Sequence, residues 1–104
     1  MPDVIIILNQ DQTASTNLPR VQVSKGRHEE VCWICPQGAA TAQFKGANGT
    51  PFDSDHFLIP FGGKVCTGPV TVGKPGQIYT YSIVGRIRND ARNYVADPEV
   101  QVDP

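Results

Sequence analysis

Cys32-Trp33-Ile34-Cys35 is a literal C-x-x-C. At a helix N-terminus or in a zinc knuckle that spacing brings two thiols together for redox chemistry or metal binding. Here the surrounding residues are β-formers, and on a strand positions i and i+3 point to opposite faces, which disfavours both a bridge between them and shared chelation. The expectation is a pair of core cysteines, with a bridge from Cys35 to the distant Cys66 as the alternative. Three cysteines, an odd number, also suit a reducing compartment better than a disulfide framework.

Asp53-Ser54-Asp55-His56, upstream of Cys66, carries the residue types of a divalent-cation site or of a Cys-His-Asp nucleophile system. It has the spacing signature of neither, and reads as a polar loop in which Asp53 or Asp55 caps backbone amides and His56 stands at the edge. His56, Cys66 and Cys35 are therefore the metal-ligand candidates of a secondary reading, a small metal-binding or redox protein with a non-standard site. His28, beside Arg27, Glu29 and Glu30, reads as an exposed turn residue.

Arg86, Arg88 and Arg92 gather with Tyr94 around Asn89-Asp90, which reads as a hairpin tip. Such a cluster can meet phosphate or an acidic protein surface, and Asp90 among the arginines also fits a solvated hairpin. The glycines of Gly46-Ala-Asn-Gly49 and Phe61-Gly-Gly63 lack the strand and helix that a phosphate loop needs. Phe52, Phe57, Ile59 and Phe61 fall within ten positions of a long connection. Either they fold back to close the core or they leave an exposed apolar patch, which on a soluble protein marks an interface.

The elements that must hold these residues are strands. Nine Pro and ten Gly punctuate short segments rich in Val, Ile, Thr, Tyr and Phe, and no stretch keeps a 3.6-residue period. The predicted strands are Asp3 to Leu8, Arg20 to Val23, Glu30 to Cys35, Thr41 to Lys45, part of Val65 to Val72, Gln77 to Val84, and Tyr94 to Val102. Both faces of Val31 to Cys35 are apolar, which predicts a central strand covered on both sides, with Trp33 as core anchor. Ala42 and Phe44 should point inward and Gln43 and Lys45 outward, while Tyr79, Tyr81 and Ile83 share one face and Val100 and Val102 another. Pro75-Gly76 predicts a type II turn ahead of the tyrosine strand. The first strand could pair with another chain if it lay at an edge. Gly46 to Lys64 is the longest stretch without predicted structure, and is where a binding surface is expected.

At 104 residues the chain (1–104) predicts one domain. A formal charge of -1 supplies no field towards nucleic acid or anionic lipid. The apolar run near the N-terminus is about five residues, too short for a secretory or membrane-spanning segment. A cytoplasmic protein is expected, although a chain trimmed of a leader would look the same.

The order Val21-Gln-Val-Ser-Lys-Gly26, Val31-Cys-Trp33, Ala42-Gln-Phe44, Pro75-Gly-Gln-Ile-Tyr-Thr-Tyr81, then Ala96 to Pro104 resembles the cupredoxin-like β-sandwich over nearly the whole chain. The resemblance is to small bacterial domains of uncharacterised role. It implies an antiparallel Greek-key β-sandwich of about seven strands, of the cupredoxin-like or Ig-like kind. In copper-binding members a His follows the Trp strand, and a Cys, a second His and a Met follow the tyrosine strand. Pro36 to Ala42 holds no His, and Ser82 to Asp90 holds no Cys, His or Met, so no type 1 copper centre is expected. The combined expectation is a non-catalytic binding or structural module without cofactor. Its partner would be another protein or a second copy, not nucleic acid or membrane, met through Phe52, His56, Phe57, Phe61, Arg86, Arg88 and Arg92.

Overall fold

Period-two burial runs through nearly every strand of this chain. In a computed structural model describing residues 3–87 and 89–104, Asp3 to Leu8 alternates exposed and buried without interruption, and Gly38 to Lys45 alternates buried and half-buried until its last residue. The described residues form ten strands: β1 (Asp3–Leu8), β2 (Ala14–Thr16), β3 (Arg20–Ser24), β4 (Cys32–Ile34), β5 (Gly38–Lys45), β6 (His56–Ile59), β7 (Lys64–Cys66), β8 (Ile78–Ile87), β9 (Tyr94–Ala96) and β10 (Glu99–Asp103). They form two sheets, one ordered β2-β1-β4-β7 and the other β3-β10-β8-β5-β6, with β9 also on β8.

The all-β expectation holds, and the sheets are mixed where antiparallel ones were expected. β1 and β4 run parallel, as do β3 and β10. The cause lies in the path of the chain. After β2 it passes through Asn17-Leu18-Pro19 into the other sheet as β3, then returns as β4 on the far side of β1. A strand that leaves for the opposite layer and comes back is free to re-enter in its original direction.

Two strands were missed by pattern. β2 is only three residues long, and β6 lies within the stretch expected to be irregular. The long Tyr94 to Val102 strand is interrupted at Pro98, which has no N–H to give the ladder. Its register against β8 nevertheless continues across the break, from Ala96 opposite Ile83 to Glu99 opposite Thr80. β1 lies between β2 and β4, not at an edge, so it has no free side for another chain.

The core forms between the two sheets. Val4, Ile6 and Trp33 from the smaller sheet meet Phe44, Tyr81 and Ile83 from the larger, all of them buried. The Trp33 ring lies 5.5 Å from Tyr81 and 5.4 Å from Phe57, and Phe44 lies 5.0 Å from Tyr81. Such tilted aromatic contacts add to the energy of area burial. The Trp33 strand is central, as expected, but only its inner face is covered by the opposite layer. On the outer face Ile34 is half-buried and Cys32 is shielded next to its bonded partner, Cys66.

Close backbone approach explains two glycines. A Cβ on Gly38 would come within 2.0 Å of the Arg86 carbonyl oxygen on β8, and one on Gly85 would come within 2.5 Å of Leu8 Cδ2 from the opposite sheet. Gly38 thus lets β5 extend along β8 to Ile87, which sets the position of Arg86 opposite Ala39.

Candidate functional site

Register across the larger sheet determines which outward side chains stand together. Leu58 on β6 faces Thr41 on β5, Thr41 faces Val84 on β8, and Val84 faces Val95 on β9. With strands about 4.8 Å apart, this row spans about 14 Å of the outer face. Leu58 is 64% exposed, Val95 46% and Val84 36%, so among the described residues no other layer packs over them. The row above it, His56, Gln43 and Ser82, is polar. The row below is Ala39 with Arg86.

Two adjoining depressions open along this face, of about 640 and 600 Å³. Ala39 and Arg86 border both. The first continues to Phe61, 55% exposed, and to the hairpin tip at Asn89 and Asp90. The second is walled by Leu58, Pro60, Val65 and Val84. Phe61 and Arg86, expected from sequence to belong to separate features, therefore share one groove.

The arginines differ sharply from one another. Arg92 is held by Asp90, whose Oδ2 accepts its Nη2–H at 2.8 Å while Oδ1 accepts its backbone N–H at 2.9 Å. Tyr94 donates its hydroxyl to the same carboxylate at 3.1 Å, and the guanidinium lies 5.8 Å from the Tyr94 ring centre. The hydrogen bonds from Arg92 hold the Asp90 carboxyl well below the usual carboxylate range. Arg92 is therefore a strut of the hairpin. Arg86 is exposed and takes part in no ion pair among the described residues, which leaves its charge available at the groove. Arg88 lies outside the described residues.

The phenylalanine cluster divides. Phe52 is buried edge-on against Phe44 and Phe57 is half-buried against Trp33, so Phe52 is a core residue and not part of a surface. Ile59 is fully buried as well, and only Phe61 is left outside. His56 is exposed on the polar row; its backbone amide accepts no free strand, because Ser54 Oγ takes the N–H at 3.2 Å and donates to the C=O at 3.0 Å. With Pro60 at the other end, β6 is a blunted edge, as natural sheets require.

The cysteine expectation needs correction. Cys32 and Cys66 form a disulfide, and Cys35 is free and buried. Alternation correctly separates Cys32 from Cys35, but it is the pairing of β4 with β7 that puts Cys32 directly opposite Cys66. Cys35 lies on the inner face, where burial pushes its thiol up from its ordinary pKa and keeps it protonated. Among the described residues, Glu30, Cys32 and Cys66 are the ligand-type side chains whose donor atoms lie within 4.8 Å of one another; His56 and Cys35 are not part of that group. No helix among the described residues is long and apolar enough to cross a membrane.

No protein-family model, no curated protein and no solved structure matches this chain.

Proposed function

We propose that this domain is a non-catalytic binding module with a cupredoxin-like, Greek-key arrangement, acting through protein contacts on the outer face of its larger sheet. The two-layer all-β architecture, with the Trp33 strand in one layer and the Tyr81 strand in the other, supports the fold part of the reading. One observation carries the functional part: the uncovered row Leu58, Thr41, Val84 and Val95 runs beside a groove whose available cation is Arg86. Interfaces favour this combination of a desolvated apolar centre with an arginine. The complementary partner is a protein segment that sets an acidic side chain between apolar ones.

The groove offers little to a reaction. Its carboxylate, Asp90, is bound up with Arg92 and Tyr94, and among the described residues no histidine or cysteine lines either depression. An oriented nucleophile and base are what hydrolysis would need. The compartment is tied to the state of the cysteines. A closed Cys32–Cys66 bond belongs to an oxidising environment, and a cytoplasmic protein would carry the two thiols reduced.

A photo-crosslinking amino acid at position 58, in cells expressing the full chain, tests the reading. A discrete adduct is expected that weakens at least tenfold with Arg86→Glu and is absent when the crosslinker stands at Gln22, outward on β3. An adduct indifferent to Arg86→Glu, or none, overturns it. Light scattering at high concentration decides whether a second copy is the occupant.

A further inference from the structure

We propose that reduction of the Cys32–Cys66 disulfide opens a zinc site made of the two thiolates and the Glu30 carboxylate. The argument starts from register. Cys32 and Ile34 share the outer face of β4, and Glu30, just ahead of that strand, brings its carboxylate within 4.8 Å of both sulfurs. Thr67 N–H donates to the Val31 carbonyl at 2.9 Å, which puts the ladder hydrogen bond at the position next to Cys32 and Cys66. Cys32 and Cys66 are then a non-hydrogen-bonded pair, the closer kind, with Cα atoms 4.0 Å apart.

The framework of the site does not depend on the sulfur–sulfur bond. Val31 N–H donates to Thr67 Oγ1 at 3.1 Å, and the Gly68 amide donates to Glu30 Oε1 at 3.0 Å. These bonds hold the exit of β7 against the entry to β4 from both sides. Glu30 is half-buried, Cys32 buried and Cys66 exposed, so the group is anchored within the sheet and reachable from solvent. Its donor atoms already lie within 4.8 Å of one another. Tetrahedral zinc with Zn–S bonds near 2.3 Å needs its sulfurs about 3.8 Å apart, a distance side-chain rotation alone supplies once the bond is cut.

The chemistry balances simply. A dithiol reductant gives two electrons and two protons, breaks the sulfur–sulfur bond and leaves as its own disulfide, while Cys32 and Cys66 become thiols. Zinc then binds both sulfurs and the two thiol protons pass to solvent. Two thiolates and one carboxylate fill three positions of a tetrahedron, and water takes the fourth. Soft sulfur donors with a single oxygen favour zinc over magnesium or calcium, which require oxygen ligands throughout.

Cobalt(II) reports on such a site through thiolate-to-metal absorption. The full chain, stripped with a chelator, would be reduced with a phosphine, which takes oxygen from water to become the phosphine oxide and leaves no competing thiol. One equivalent of cobalt should then produce the thiolate band, and zinc should displace it. The oxidised protein should stay silent, and Cys66→Ser should lose the band. Glu30→Gln should weaken binding at least tenfold, which separates a folded site from thiols that merely capture metal in an unfolded chain. Cys35→Ser and His56→Ala should change nothing. No band in the reduced protein, equal affinity in Glu30→Gln, or loss of the native Trp33 emission on reduction would each overturn the proposal.

Discussion

Trp33 Nε1 donates a hydrogen bond to Tyr81 Oη at 3.1 Å, across the boundary between the two sheets. Both side chains are fully buried, so this bond satisfies an indole donor that has no access to water. It also fixes how the smaller sheet sits on the larger one. Tyr81→Phe keeps the ring and removes the acceptor, and should cost about 1–3 kcal/mol, the usual penalty for a buried group left unpaired. Urea unfolding followed by Trp33 emission measures it, and an unchanged midpoint would show that the bond contributes nothing.

The same tyrosine predicts an alkaline limit. Burial pushes the Tyr81 phenol up to about 12, against an ordinary value of 10.0. A raised pKa means that the folded state prefers the neutral phenol, so this contribution is complete below pH 10.0 and is lost as pH climbs towards about 12. Unfolding titrated by tyrosinate absorbance should therefore show a cooperative step in that window. In Tyr81→Phe that step should flatten.

Acid acts on the hairpin in the opposite sense. Asp90 has a depressed pKa, so its contribution is present above its ordinary 3.8 and disappears as pH falls further. Arg92 is exposed and Asp90 only partly buried at the hairpin tip, so the pair should matter little to global stability. Its effect should appear locally, as faster amide exchange at Arg92 in Asp90→Asn at neutral pH. Equal exchange rates in variant and wild type would remove Arg92 from its role as a strut.

Gly38→Ala should be among the most damaging small changes, because the new methyl would meet backbone and not a movable side chain. A cost of about 3 kcal/mol is expected, at the upper end for overpacking. Gly85→Ala meets the tip of Leu8 and should be milder, with partial rescue by Leu8→Ala. Thermal melts of the three variants test the ranking, and rescue of Gly38→Ala by any side-chain trimming would contradict it.

The disulfide closes a span of 34 residues. Chain-entropy reasoning puts its contribution at about 4 kcal/mol. Reduced protein should remain folded but unfold at lower urea, with a steeper dependence on denaturant, because the unfolded chain without its crosslink is more open. A loss well below 1 kcal/mol would mean that the reduced unfolded chain retains structure that keeps Cys32 near Cys66.

Local chemistry made the inner faces readable. Phe44, Tyr81 and Val100 were recognisable from period-two alternation because the side a residue takes on a strand depends only on its parity. The turn at Gly76, with φ of 83°, was legible for an equally local reason, the dihedral freedom of glycine. Strand pairing is not local. Whether Cys66 meets Cys32 or Cys35 depends on which strand β7 lies beside and at what register, and those are settled by the packing of two whole layers. The same holds for Phe61 and Arg86, twenty-five positions apart in the chain. Nothing in either segment refers to the other, and only the alignment of β5 with both β6 and β8 brings them to one groove.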